Sequence, residues 1–174
     1  RPHQLAVAVE VAAGRSVLLI APTGGGKTLA GFLPSLMDLA SGPRRERKPG
    51  LHTLYISPLK ALAVDIARNL EAPVAEMGLD VSVETRTGDT PQSKRARQKH
   101  APPDILITTP EQIALLIADA HAARLFETLK AVIVDELHAL APSKRGALLA
   151  LGLARIGRLA PEAVRIGLSA TVAD

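Results

Sequence analysis

The chain has no cysteine, no tryptophan, one tyrosine and two phenylalanines in 174 residues. Without cysteine it forms no disulfides or thiolate zinc sites, and its composition suits a reducing compartment. Aromatics make up 2% of a chain that is 47% hydrophobic, so its core must be built from Leu, Ile, Val and Ala. That argues against a β-sandwich held by aromatic pairs, and against a row of aromatic platforms on which bases could stack. Long apolar runs are missing too. The stretch Ala147 to Ala154 falls far short of the roughly 20 residues a membrane helix needs, and no charged-then-apolar signal segment opens the chain. The expectation is a soluble intracellular protein with no membrane partner.

What is present is about one ordinary domain, long enough to bury roughly 70% of the surface its unfolded chain would expose. Net charge is +4, but it is unevenly placed. Arg44, Arg45, Glu46, Arg47 and Lys48 contribute +3, and Lys94, Arg95, Arg97 and Lys99 contribute +4, which leaves the remainder of the chain at −3. Such confined surpluses either meet an anionic partner at particular places or are a solvated loop and a solvated helix face.

Short β-rich runs alternate with longer helical ones, as in βαβ units that build a parallel sheet with helices on both faces. Strands are expected at Val17 to Ala21, Thr53 to Ser57, Val81 to Arg86, Ile105 to Thr108, Ala131 to Asp135 and Val164 to Ser169. Most are continuous apolar runs, the pattern of strands covered on both sides. Helices are expected near 2 to 12, 27 to 41 (bent at Pro34), 59 to 77, 91 to 99, 110 to 118 and 143 to 159, with an exposed loop from Ser41 to Gly50. Ser57-Pro58, Thr90-Pro91 and Thr109-Pro110 each follow a strand and fit Ser or Thr as N-cap with Pro at the first helical position. Together they would line helix N-termini along the carboxyl edge of one sheet, where open α/β folds bind ligands.

Two patterns carry chemistry. Ala21-Pro22-Thr23-Gly24-Gly25-Gly26-Lys27-Thr28 follows an apolar strand and opens a helix, the context of a phosphate-binding loop. Its glycines turn backbone N–H groups inward, Lys27 can reach the β- and γ-phosphates, and the Thr28 hydroxyl can ligate Mg²⁺. Ala21 replaces the usual first Gly, and Gly25 in place of a Ser should be tolerated because the loop works through its backbone N–H groups. The second pattern is the strand Ala131 to Val134 ending in Asp135 and Glu136. The first acid can hold the metal opposite Thr28, and the next can orient or deprotonate an attacking water.

In order along nearly the whole chain, these residues resemble the superfamily 2 helicases. Ala21 to Thr28 is similar to their first motif, Asp135-Glu136-Leu137-His138 to the DExH box and Ser169-Ala170-Thr171 to the Ser-Ala-Thr motif. Ile56 to Leu62 resembles motif Ia, Thr109-Pro110-Glu111 motif Ib, and Gln4 falls where a Q-motif glutamine would be. Arg86 to Pro91 and Ser143-Lys144-Arg145-Gly146 narrow the likeness to Lhr-type (large helicase-related) proteins, and among these to the bacterial ligase-associated DNA damage response DExH-box helicases.

The resemblance implies an α/β, RecA-like P-loop domain spanning 1–174, the first of two such domains in a longer cytoplasmic bacterial helicase. It implies ATP and Mg²⁺ as cofactors. Thr23, Gly24, Gly25, Gly26, Lys27 and Thr28 would cradle the triphosphate and Gln4 would recognise adenine. Asp135 would hold the metal with Thr28, and Glu136 the hydrolytic water. His138, Ser169 and Thr171 would couple nucleotide state to nucleic-acid grip. Single-stranded nucleic acid, DNA foremost, would run over Ser57, Pro58, Lys60, Gly88, Thr109 and Glu111, mainly through backbone N–H groups that fix position without reading sequence. The implied activity is ATP-driven 3′-to-5′ translocation in DNA repair, alongside other repair proteins. A second RecA-like domain would supply an arginine finger worth about 10³ to 10⁵ in turnover. The other readings are a nucleic-acid scaffold with a vestigial ATPase, against which stand intact Lys27, Thr28, Asp135 and Glu136, and a small-molecule P-loop kinase, which leaves Gln4 and Ser169-Ala170-Thr171 without a task.

Overall fold

The computed structural model describes residues 1–170. Its strands are β1 (Val17–Ile20), β2 (Thr53–Ile56), β3 (Val83–Arg86), β4 (Ile105–Thr108), β5 (Ala131–Val134) and β6 (Val164–Ser169). They form one sheet in the order β1-β6-β5-β2-β4-β3, and every pairing is parallel. The helices are α1 (Pro2–Ala12), α2 (Lys27–Ala40), α3 (Lys60–Glu76), α4 (Gln92–His100), α5 (Pro110–Ala118), α6 (Ala122–Phe126), α7 (Leu137–Leu140) and α8 (Lys144–Leu159). The expected α/β architecture is the observed one. Among the described residues no helix is long and apolar enough to cross a membrane.

Alternation along the strands divides the core into two layers. Tyr55, Ile105, Ile107, Ile133, Ile166 and Leu168 pack with α1, α2 and α3 on one face. Leu54, Ile56, Leu106, Val132 and Val134 pack with α5, α6, α7 and α8 on the other. Strands β2, β4 and β5 are buried along their whole length, as continuous apolar runs require. The outermost strand β1 departs from that expectation: Leu18 and Ile20 are 57% and 58% exposed, because α8 packs over α5 and α6 and leaves that side of β1 open among the described residues.

Local chemistry shifts several element ends. Of the three Ser/Thr-Pro junctions only Thr109-Pro110 starts a helix as expected, with Thr109 as N-cap. After Ser57 the chain runs on to Leu59 before α3 begins, and Pro91 itself is the N-cap of α4. α2 continues unbroken through the buried Pro34. The Ser41 to Gly50 loop contains one 3-10 turn, Arg44–Glu46, and the short helices α6 and α7 were not legible from periodicity because each spans about one turn.

Candidate nucleotide and nucleic-acid edge

Because all strands are parallel, every motif that directly follows a strand leaves the sheet at the same carboxyl edge. Across that edge the order is Ala21–Thr28 after β1, Ser169 at β6, Asp135-Glu136 after β5, Ser57–Lys60 after β2, Thr109–Glu111 after β4 and Thr87–Thr90 after β3. The sheet thus sorts the motifs into a phosphate half and a second half.

In the phosphate half, Gly24 and Gly26 adopt left-handed φ values of 78° and 77°, a conformation that costs glycine little and other residues more. Gly25 has a different reason to lack a side chain. A Cβ there would stand 2.9 Å from the Pro22 carbonyl oxygen, so any side chain at this position would require the loop to shift. Lys27 is buried at the start of α2, and its Nζ donates to the carbonyls of Ala21 at 2.8 Å and Pro22 at 3.0 Å. The loop curls around its own ammonium and fixes the charge in place. Gln4, on the first turn of α1, donates from Nε2 to the Gly26 carbonyl at 3.3 Å, so the amino-terminal helix touches the loop where the sequence placed it.

Asp135 is buried at the end of β5, and both its oxygens are engaged. Oδ2 accepts from the Tyr55 hydroxyl at 2.6 Å and Oδ1 from the Glu136 N–H at 2.8 Å. Tyr55 is fully buried, stacked on Phe32 with ring centroids 4.7 Å apart. Burial and the neighbouring Asp135 charge push its hydroxyl far above the usual phenol range. Tyr55 therefore backs Asp135, one of the two residues expected to hold the metal. Motif matching missed it. The available signal was that the only tyrosine lies in a buried strand, where a phenol needs a polar partner.

Glu136 has φ 49° and is the only non-glycine residue with positive φ among those described. Backbone strain of this kind, on the order of 1–3 kcal/mol, persists where the surroundings enforce it and clusters at functional sites. Its carboxylate meets His138 Nε2 at 3.1 Å. The Ala170 N–H donates to His138 Nδ1 at 3.1 Å, and Ser169 Oγ lies at the same distance from that nitrogen. Nδ1 is thus the acceptor, and the hydrogen-bond network assigns the ring proton of the neutral imidazole to Nε2, facing Glu136. The result is a continuous path from Glu136 through His138 to the end of β6. Thr171, expected to join this coupling, lies outside the described residues.

The second half of the edge is built differently. Ser57 and Pro58 are buried, and Ser57 Oγ is turned back to the Leu59 carbonyl at 3.3 Å, so any contact made here is made by the main chain. Thr109 is buried as well. Lys60 and Gly88 are exposed and adjacent, with Lys60 Nζ bonded to Asp89 at 3.0 and 3.2 Å. Glu111 is exposed but engaged by Arg145. This half presents main chain, one lysine and a neutralised glutamate.

Both charge surpluses are largely consumed within the fold. Arg44 bonds Asp104 at 2.7 Å, Arg47 the Asp80 carbonyl at 2.7 Å and Lys48 Glu127 at 2.9 Å. Those partners precede β4, β3 and β5, so the first surplus lies at the amino edge, opposite the motifs. On α4, Arg97 bonds Glu84 at 2.7 Å and Lys99 pairs with Asp119. Beneath them Arg86 is buried and donates to the Arg95 carbonyl at 2.8 Å.

The family model of the DEAD/DEAH box helicases matches residues 1–174. The chain is 50% identical over 173 residues to the Lhr helicase/probable uracil glycosylase of Mycolicibacterium smegmatis, a match over 93% of this chain and 11% of that protein. It is 43% identical over 182 residues to the ATP-dependent helicase Lhr-Core protein 2 of Thermococcus barophilus, over 98% of this chain and 21% of the relative. It therefore spans about a tenth to a fifth of these relatives. Among solved structures, Mycobacterium smegmatis helicase Lhr bound to ssDNA and AMP-PNP superposes with a TM-score of 0.85 at 45% identity, covering 98% of this chain and 23% of that one. With the phosphate loop, the strand-end acid pair and the histidine path ordered along one parallel sheet, the chain belongs to the DEAD/DEAH box helicase family, among relatives named Lhr.

Proposed function

We propose that the chain is the first, nucleotide-binding motor domain of a longer Lhr-type ATP-dependent helicase. One observation carries this: Lys27 and Thr28 open α2 after β1 and Asp135 and Glu136 follow β5, all at one end of the carboxyl edge, with Asp135 held by the Tyr55 hydroxyl. Thr28 and Asp135 are hard oxygen donors, which fits a divalent cation such as Mg²⁺. Thr28 and Asp135 would hold such a cation, whose charge would offset the one that develops on the phosphate oxygens.

The residues divide the task. Lys27 exchanges the carbonyls of Ala21 and Pro22 for the β- and γ-phosphates, and Thr23 through Gly26 supply the backbone cradle. Gln4 lies where the adenine would sit. Glu136 accepts a proton from water as the water oxygen bonds to the γ-phosphorus and the bond to the β–γ bridging oxygen breaks, releasing ADP. His138 and Ser169 relay the resulting change along β6, with Thr171 as the next expected member. A single strand of nucleic acid, DNA foremost, passes over Lys60, Gly88 and the α5 N-terminus, where its phosphates meet oriented N–H groups. The relative solved with ssDNA and AMP-PNP supports both ligands.

Translocation 3′ to 5′, a place in DNA repair with other repair proteins, and residence in the bacterial cytoplasm rest on the family resemblance. So does the second RecA-like domain with its arginine finger. Since such a finger is worth about 10³ to 10⁵ in turnover, the isolated 174 residues are expected to hydrolyse ATP very slowly. The test is ATP turnover by the full-length helicase with and without single-stranded DNA, compared with Glu136→Gln and Lys27→Ala. Strong stimulation in the parent, retained ATP binding in the first variant and weakened binding in the second are expected. Unchanged turnover in both variants overturns the assignment.

A further inference from the structure

The segment Ser143-Lys144-Arg145-Gly146 has no role in the assignment above, yet its geometry is tightly determined. Ser143 Oγ accepts the Gly146 N–H at 3.0 Å and donates to the Leu140 carbonyl at 2.7 Å. A Cβ on Gly146 would collide with that same Leu140 carbonyl, so only glycine lets α8 start this close to α7. The turn aims Arg145 across the edge. Its Nε donates to Glu111 Oε1 at 2.5 Å, and its Nη2 to Glu111 Oε2 at 3.1 Å and to the Pro58 carbonyl at 2.6 Å.

One guanidinium thus joins three segments: the turn after β2, the first turn of α5, and the start of α8, which the short helix α7 connects to Asp135-Glu136. The bidentate fork fixes orientation as well as charge. Hydrogen bonding to Arg145 outweighs burial and holds the Glu111 carboxyl below its usual range. The two side chains are 41% and 49% exposed, and exposed ion pairs add little stability. The use of this one is therefore geometric and electrostatic. Glu111 lies in the first turn of α5, at the helix end whose dipole favours an anion such as a phosphate. Unpaired, its charge would repel that phosphate; paired with Arg145, it does not.

We propose that Arg145 is a positioning residue for nucleic-acid-stimulated ATP hydrolysis. It holds the Ser57–Lys60 turn and the α5 N-terminus at fixed spacing, neutralises Glu111 at the phosphate track, and ties both to the DExH segment. This rests on the motor assignment above and adds a residue to it.

The experiment uses the full-length helicase and a single-stranded deoxythymidine oligonucleotide. Arg145→Ala is expected to raise the oligonucleotide concentration for half-maximal ATPase stimulation about tenfold, within the usual range of site-to-site coupling, while KM for ATP moves less than about twofold. Arg145→Lys keeps the charge but not the fork and falls between. Arg145→Ala combined with Glu111→Ala recovers part of the loss, since the unneutralised carboxylate is gone; a merely structural role for Arg145 gives no such recovery. If Arg145→Ala melts before assay, Arg145→Lys and the double variant carry the test. No stimulation of the parent protein overturns the motor assignment itself. A stimulated parent with an unshifted half-stimulating concentration in Arg145→Ala and Arg145→Lys, or a double variant no better than Arg145→Ala, overturns the proposal for Arg145.

Discussion

The two halves of the carboxyl edge use side chains in opposite ways. Around β1, β6 and β5, the reactive groups are buried or half-buried and anchored from behind: Lys27 on two carbonyls, Asp135 on Tyr55, His138 on Ala170 and Ser169. Around β2, β4 and β3, Ser57, Pro58 and Thr109 are buried, while the exposed Lys60 and Glu111 are each paired, with Asp89 and Arg145. Phosphoryl chemistry needs particular atoms at particular points, so each is held by a buried contact. Gripping a polyanion without reading its sequence needs regularly placed N–H groups and the absence of repelling charge. A chain with three aromatic residues can do this, because no base has to be stacked.

The largest expected effect lies in the anchored half. Glu136→Gln should lower turnover of the full-length helicase by about 10² to 10⁴, the usual worth of a positioned base, with ATP binding kept; single-turnover kinetics beside a nucleotide titration separate the two. A loss below tenfold would mean that another group takes the proton.

Next comes the anchor itself. Tyr55→Phe leaves a buried oxygen of Asp135 without its donor, a loss of about 1–3 kcal/mol. Denaturation should show a destabilised domain, and half-saturating Mg²⁺ for ATP turnover should rise. A variant as stable as the parent and with the same Mg²⁺ response would show that Asp135 needs no support from behind.

In the second half a smaller, sharper contrast is expected from salt. If Lys60 exchanges Asp89 for a phosphate, Lys60→Ala should flatten the plot of log affinity against log salt by about 0.7. Lys48→Ala, which removes a charge from the opposite edge, should leave the slope unchanged. Equal flattening by both variants would erase the distinction between the two edges.

Smallest is the acid response of the Arg145–Glu111 tie. The Glu111 carboxyl is depressed in the folded protein, so its contribution is complete above the ordinary carboxylate pKa of about 4.3 and fades as pH falls through the lowered value. For a pair this exposed it is less than about 1 kcal/mol. Parent and Glu111→Gln should differ slightly in melting temperature at pH 7 and 5, and converge in stronger acid.

Much of this was legible in the sequence, and for identifiable reasons. The strands β2, β4 and β5 were readable because a strand buried on both faces is apolar at most positions and carries no charge. The phosphate loop and Asp135-Glu136 were readable because their spacing is set by backbone geometry within a few residues. Why Gly25 has no side chain was not readable: the Pro22 carbonyl that denies it a Cβ is a neighbour through the fold of the loop, not through a rule of composition. The capping pattern of a hydroxyl before proline held at Thr109 and not at Ser57, where the chain runs on to Leu59 before α3 starts. The basic run 44–48 showed its charge and hid its partners, which come from loops before three other strands.

By itself, then, the sequence determined a parallel sheet of aliphatic strands, a phosphate loop after the first, an acid pair after the fifth and the order in which the motifs occur, because all of these are local in the chain. Only the tertiary structure decided which of them are neighbours. Strand order put Ser169 and the DExH histidine beside the phosphate loop and placed Tyr55 behind Asp135. It left one basic run on the far edge and set Arg145 across Pro58 and Glu111, 87 and 34 residues away. Such contacts depend on which strands pair, and that is settled by how the two apolar layers pack, not by any one segment's own residues.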